Sequence, residues 1–525
     1  MNCNFTFKTQ IEKPIPGHFW EAVGCDSMFP QVVNETGAFL FDRADRFGCL
    51  KYIRNHHVLS SLKHGDKEMG GNVYSEDENG NPVYDFTFIN SVYAQCVAHG
   101  IKPVVEMDFV PEALARRREK PMPRSGEMYE RCSYPADWDK WRALLVKFTE
   151  NLVETFGLEE VRTWYFEAWN EPDLCALVPF MRQWPSEDWE EFMHLYDVFV
   201  DAVTSVDDKL KVGGPGGCTQ AFMYKFFDHI CRGKNYVTGE IGTRIDFVSY
   251  HFYGMIGFAM PAFPLEGTSV SKFVHEVNSV YALMKQFPQL DGVEFHLNEW
   301  GECAQGGLSR YQFPEFDVLR NSEYSALYLV KLIPNMMKLC ELTGLNLTML
   351  LYWGFTGEDD KGATFEGTRS LTTYPRICKP LWTVYEMLSG VGDRMVECDA
   401  RTGDRVSAYG FKSDTGVQLV AFNFEEDRVF ERYEPTPVEL KVEGLEPGKY
   451  TLTTVSLGRE TNNTFAAYKP YRDANAVTEE VLQKVQAAND WQPDGVQTVE
   501  VTGDYIISDV IPDSEVRFYF LEKAE

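Results

Sequence analysis

Two short segments carry acids in positions suited to chemistry. Phe166-Glu-Ala-Trp-Asn-Glu-Pro172 ends in Asn170 and Glu171, directly before a proline that cannot continue a hydrogen-bonded strand. His296-Leu-Asn-Glu-Trp300 carries Glu299 at the end of a second β-rich run. Two glutamates facing each other across a cleft lined with Trp and Tyr are what cleavage of a glycosidic bond requires: one protonates the leaving oxygen, the other attacks the sugar or activates water. With 79 Asp and Glu in the chain, any single strand-end Glu is by base rate a solvated surface group. Asn-Glu-Pro, however, is expected by chance only about once per 10⁴ positions at average residue usage. That two acids fall at matched strand ends weakens the bland reading further.

Other chemistries lack their signatures. Gly213-Gly-Pro-Gly-Gly follows a strand but does not have the G-x-G-x-x-G spacing of a dinucleotide loop, and reads as a tight turn beneath a cleft. There is no H-E-x-x-H, and the adjacent His56 and His57 point to opposite sides of a strand, so no metal site is expected. A G-x-S-x-G elbow is also absent. No cofactor is implied.

The elements that must position the acids can be read from periodicity. Between about residues 14 and 392, β-rich runs at 19–23, 51–54, 103–107, 163–169, 210–213, 246–250, 293–297 and 347–353 alternate with helical patterns. One such pattern repeats Trp141, Leu145, Phe148, Leu152 and Phe156 at helical spacing, which marks a buried helix face. Eight strand–helix units over this length predict an α/β fold, a (β/α)8 TIM barrel, with a doubly wound open sheet as the competing reading. In a barrel, strands 4 and 7 lie across the mouth from each other, and active groups sit at the C-terminal strand ends. From 393 to 525 the pattern changes to short runs, several of them alternating, divided by Gly, Pro and Asp, which predicts an accessory β-sandwich with one helical insertion near 477–488. Phe5 and Phe7, within residues 1–13, could add a strand to it.

Composition bounds the partners. The 525 residues are 44% hydrophobic and 25% charged, which is globular, and the net charge of −29 would repel phosphate backbones and anionic membrane surfaces. No nucleic acid and no membrane partner is expected. The aromatic content of 14% suits neutral ligands offering both C–H faces and hydroxyls, as sugars do. The N-terminus has no basic region leading into an apolar one, no run approaches the roughly eighteen apolar residues of a membrane span, and the twelve Cys form no C-x-x-C pair. The expected location is therefore the cytoplasm. A homo-oligomer is compatible with this composition.

The segments Tyr52-Ile-Arg-Asn-His, Tyr84-Asp-Phe-Thr-Phe-Ile, Pro103-Val-Val-Glu-Met-Asp-Phe-Val-Pro-Glu-Ala-Leu, Glu160-Val-Arg-Thr-Trp-Tyr-Phe-Glu-Ala-Trp-Asn-Glu-Pro and Lys211-Val-Gly-Gly-Pro resemble, in the same order, glycoside hydrolase family 39, the β-xylosidase and α-L-iduronidase family. The resemblance spans residues 15 to about 390 and weakens after strand 4. It implies that Glu171 is the general acid/base and Glu299 the nucleophile of a retaining reaction, with Asn170 on the sugar 2-hydroxyl. It further implies that His56 contacts the sugar, that His251 and Tyr253 in Ser249-Tyr-His-Phe-Tyr-Gly match the strand-6 motif with the Tyr orienting the nucleophile, and that Trp353 is an aromatic platform. Glu358 lies near the family's acidic sugar-binding residues. Where the family usually has Thr before the nucleophile, this chain has Asn298.

The leading expectation is a retaining exo-glycosidase for small neutral oligosaccharides, with β-xylosides first and arabinosides or galactosides as alternatives. A non-catalytic carbohydrate-binding barrel is the alternative from another class. An anionic uronide is disfavoured because no basic residue adjoins Asn170, Glu171, His251 or Glu299 in sequence. The segments that would choose among sugars, 255–267 and 303–316, resemble the family least.

Overall fold

Eight parallel strands, β1 (Ala22–Cys25), β2 (Tyr52–Asn55), β3 (Lys102–Glu106), β4 (Tyr165–Glu167), β5 (Lys211–Gly217), β6 (Phe247–Tyr253), β7 (Glu294–Gly301) and β8 (Leu347–Trp353), pair in chain order and close into a barrel. The computed structural model describes residues 3–14, 17–25, 35–60, 62–64, 67–69, 72–116, 134–174, 189–254, 269–303, 309–354, 364–398, 405–428 and 431–524.

The helix marked by the spacing of Trp141, Leu145, Phe148, Leu152 and Phe156 forms there, with Phe156 only half-buried at its end. Helix Trp138–Phe156 buries Trp141, Leu144, Leu145, Phe148 and Leu152. It starts at Asp137, whose carboxylate accepts from the Asp139 and Lys140 N–H groups, and it stops at Gly157, whose φ of 87° a side chain would resist. Inside the barrel, alternate residues of each strand point to the axis. Ala22, Val104, Tyr165, Phe247, Met349 and Leu351 fill an apolar layer, and the charged groups described below lie above it.

The C-terminal region forms one nine-stranded sheet, largely antiparallel, in the order Gly495–Val501, Gly448–Gly458, Glu515–Lys523, Gly416–Asn423, Val406–Lys412, Arg394–Cys398, Cys3–Pro14, Thr436–Glu443, Tyr505–Ile511. The N-terminal strand Cys3–Pro14 sits within this sheet, antiparallel to Arg394–Cys398 and parallel to Thr436–Glu443. Strand Gly416–Asn423 shows how the sheet serves two cores. Val417, Leu419 and Ala421 pack with Phe5, Phe7, Leu440 and Val442, while Val420 and Phe422 on the opposite face join the core of the barrel. A buried ion pair between Lys331, on helix Tyr324–Thr343, and Glu426 pins the contact. The insertion contains two helices, Thr464–Asp473 and Glu479–Ala487, where the sequence pattern showed only the second, because Pro470 interrupts the periodicity of the first.

Candidate active site

Strand β6 offers the plainest case of a strand aiming chemistry. Ser249, His251 and Tyr253 are two residues apart, so all three side chains face the axis. The Ser249 hydroxyl donates to Glu167 Oε1 at 2.5 Å, His251 Nδ1 lies 3.0 Å from Glu171 Oε1 and 3.2 Å from Glu299 Oε2, and Tyr253 Oη donates to Glu299 Oε1 at 2.5 Å. On β7 the register slips: Tyr250 pairs with Leu297 but His251 pairs with Glu299. That irregularity turns two consecutive side chains inward, which a regular strand would send to opposite faces. Asn298 then donates to Glu167 Oε1 at 2.7 Å, while Glu299 reaches Tyr253 and His251.

Glu171 stands just past the end of β4 with φ of 44°, a left-handed backbone that costs a non-glycine residue about 1 kcal/mol or more. Its N–H donates to the Gly216 carbonyl at 2.9 Å. One oxygen of Glu171, a ring nitrogen of His251 and one oxygen of Glu299 all lie within 4.8 Å of one another.

Arg54 on β2 is wholly buried and ties the acids together. Its Nε meets Glu167 Oε2 at 2.6 Å, Nη2 meets Glu106 Oε1 and Asn170 Oδ1 at 3.1 Å each, and Nη1 lies 3.4 Å from Glu299 Oε2. One guanidinium cannot neutralise three carboxylates, and the site divides accordingly. Burial works to raise the pKa of Glu167, but the charge of Arg54 and the hydrogen bond from Ser249 prevail and hold it below the usual range. Glu106, equally buried and beside Glu167 and Glu299, is pushed well above the carboxylate range, as is buried Asp108 next to it. Burial raises Glu171 to about 7, with the Asp173 charge adding to the rise and His56, Arg54 and Arg369 opposing it. Burial lowers His251 to about 4, so at neutral pH its imidazole is uncharged between the two glutamates. Tyr253 is pushed well above its ordinary value, chiefly by burial, and remains a donor to Glu299.

The structure brings Glu171, Glu299, Asn170, His251 and Tyr253 into this one network. His56 lies beside it, with Nδ1 2.9 Å from Glu106 Oε2 and its ring centroid 4.3 Å from that of Trp353. Trp353 ends β8 as a buried ring with the Arg54 guanidinium 5.4 Å from its centroid, and it fits because Gly24 is opposite: a Cβ there would fall 2.2 Å from the indole. Glu358 lies outside the described residues, as do 255–268 and 304–308.

Sequence reasoning missed Arg54, Glu106, Asp108, Glu167, Ser249 and Arg369. Period-two spacing carried a signal for two of them: Arg54 precedes His56 by two, and Ser249 precedes His251 by two. Although no basic residue adjoins the acids in sequence, closure of the barrel brings in Arg54 and also Arg369, whose Nη1 donates to Tyr253 Oη at 2.9 Å. The glycine-rich 213–217 stretch belongs to β5 and lets backbone approach the site: a Cβ on Gly216, at φ 61°, would sit 3.2 Å from Glu167 Oε1 and 3.4 Å from His251 Nε2. Two groupings among the described residues, His56/Glu106/Asp108 and Glu171/His251/Glu299, present three potential cation ligands each. Several of their atoms already accept or share hydrogen bonds: both Asp108 oxygens accept from the His57 and Val58 N–H groups, and Glu299 Oε1 accepts from Tyr253.

The fold and site together define an (β/α)8 barrel protein with paired acids at its mouth. The family model described as Glycosyl hydrolases family 39 matches residues 14–491, and the chain belongs to that family. A β-xylosidase of Geobacillus stearothermophilus is 28% identical over 363 residues, 66% of this chain and 64% of that protein. The match therefore spans just under two thirds of that relative's length. An α-L-iduronidase of Mus musculus is 26% identical over 165 residues, 30% of this chain and 24% of that protein. Among solved structures, a monomeric β-xylosidase from Caulobacter crescentus superposes with a TM-score of 0.78 at 24% identity, covering 100% of both chains, a likeness of fold. Among the described residues no helix is long and apolar enough to cross a membrane.

Proposed function

We propose that this protein is a retaining exo-glycoside hydrolase acting on neutral glycosides, with β-xylosides as the leading substrates, by double displacement. The observation that carries the reading is the convergence of Glu171 and Glu299 on one imidazole nitrogen, with carboxylate oxygens within 4.8 Å of each other. Carboxyl groups about 5 Å apart leave room for a sugar carbon but not for the intervening water of an inverting enzyme, which needs roughly 6.5–9.5 Å.

In the first step protonated Glu171 gives its proton to the glycosidic oxygen while Glu299 attacks the anomeric carbon, forming a glycosyl ester and releasing the alcohol. In the second, the Glu171 carboxylate takes a proton from water, the water oxygen attacks the same carbon, and Glu299 departs as carboxylate. Burial gives Glu171 a pKa of about 7, so it holds its proton up to neutral pH. The hydrogen bond from Tyr253 and the Arg54 charge compensate Glu299.

A non-catalytic sugar-binding barrel has no need of two opposed acids, one with a raised pKa. The preference for a neutral sugar rests on the surplus of acids at the site and on Arg54 being engaged by Glu106, Glu167 and Glu299. Proton NMR of the first-formed anomer tests the mechanism: net retention is expected, and an inverted product overturns it. Side-by-side kcat/KM values for aryl β-xyloside, α-L-arabinoside, β-galactoside and α-iduronide test the substrate. A uronide preference of about tenfold or more overturns the neutral-sugar reading.

A further inference from the structure

Glu171 owes its left-handed backbone to two ties onto the strand–helix corner that follows β5. The first is its own N–H on the Gly216 carbonyl. The second lies two residues on. Asp173 has no exposed surface; its Oδ1 accepts from the Cys218 N–H at 3.0 Å and the Cys218 thiol at 3.3 Å, and its Oδ2 accepts from the Thr219 N–H at 2.7 Å and the Thr219 hydroxyl. Thr219 in turn caps helix Gln220–Arg232. Between the ties the chain makes a single turn, with the Leu174 N–H on the Glu171 carbonyl at 3.1 Å. A strained conformation persists only where its surroundings over-determine it, and Asp173 is the buried charge that does so here.

We propose that Asp173 is a positioning residue for the acid/base: its carboxylate locks the loop after β4 onto the N-terminus of helix Gln220–Arg232, holding Glu171 against His251 and keeping a like charge close behind it. This rests on Glu171 being the acid/base. The groups facing Glu171 are Asp173 on its own loop, Arg54 and His56 from β2 and its following segment, Glu106 from β3, Cys218 after β5, His251 and Tyr253 from β6, Glu299 from β7 and Arg369 beyond β8. Those facing Asp173 are Cys218, Thr219 and, from β6, Tyr250. Burial and Asp173 both raise the Glu171 pKa.

The test is Asp173→Asn, which removes the charge and sets an N–H donor where an acceptor oxygen stood. The alkaline limb of the kcat/KM profile is expected to move to lower pH by about 0.5–1. Hydrolysis of aryl glycosides with poor leaving groups should fall about tenfold or more, against a change of less than about threefold for a dinitrophenyl glycoside. An unmoved limb with an equal loss on both substrates would mark Asp173 as merely structural and overturn the proposal. Titration of the Glu171 carboxyl by ¹³C NMR, assigned with Glu171→Gln, reads the same coupling without turnover. If wild-type protein cleaves no glycoside, the proposed function fails, yet the ¹³C midpoint must still drop in Asp173→Asn. An unchanged midpoint overturns the role of Asp173.

Discussion

At the N-terminal end of the barrel, Glu294 accepts from Tyr165 Oη at 2.6 Å, Lys211 Nζ at 3.2 Å, Thr348 Oγ1 at 3.2 Å and pairs with His296 Nε2 at 3.4 Å. At the C-terminal end, Glu106, Glu167 and Glu299 share the single guanidinium of Arg54, and Glu171 has a neutral imidazole as its nearest partner. Burial pushes both ends the same way, toward protonation. At Glu294 the donors and Lys211 outweigh it and hold the pKa at about 2, whereas at Glu171 burial prevails and the value rises to about 7. The same residue type in the same barrel thus serves stability where donors outnumber acids, and becomes available for proton transfer where acids outnumber donors. This matches the division expected of such barrels, with reactive groups at the C-terminal face and scaffolding at the other.

Substitutions at the two ends can break this contrast. The largest effect is expected from Glu299→Gln, which should lower turnover about 10⁴-fold or more on every glycoside whatever its leaving group, assayed by release of the aglycone. Glu171→Ala should cost about 10²–10⁴-fold on poor leaving groups, spare good ones in the first step, and recover its second step with azide. Insensitivity to both leaving group and azide would remove Glu171 from the acid/base role. In wild-type enzyme, kcat/KM should fall as pH rises through about 7, where Glu171 loses its proton.

Glu294→Gln should behave in the opposite manner, keeping turnover but losing about 1–3 kcal/mol of stability in denaturant melts at neutral pH. The pH dependence has a definite sign. Because the folded-state pKa of Glu294 is depressed, its contribution is present above the ordinary carboxyl value of 4.5 and lost as pH falls through about 2, so the variant should show a flatter acid-side decline. The smallest effect belongs to Ser249→Ala, which removes one donor to Glu167 and one acceptor for the Gly216 N–H. A loss of about 1 kcal/mol is expected there by thermal melting, with activity reduced less than tenfold.

Local pattern sufficed for a good part of this protein. Each of the eight β-rich runs became a barrel strand because alternation and flanking turn residues act over a few positions, and the shared face of His251 and Tyr253 follows from the same two-residue period. The strand-end placement of Glu171 and Glu299 could likewise be read before any coordinates, since Pro172 and the barrel rule need only neighbours and strand count. What stayed hidden depends on closure. Arg54 meets Glu167 and Glu299 across 113 and 245 residues of chain, and Asn298 meets Glu167 across 131. The register slip that turns both Asn298 and Glu299 inward has no signature in the sequence of β7 alone, because it is a relation between two strands. The unequal pKa values are later still in origin. A carboxyl group carries no record in sequence of how many donors surround it or how little water reaches it, and only the packed barrel sets that count.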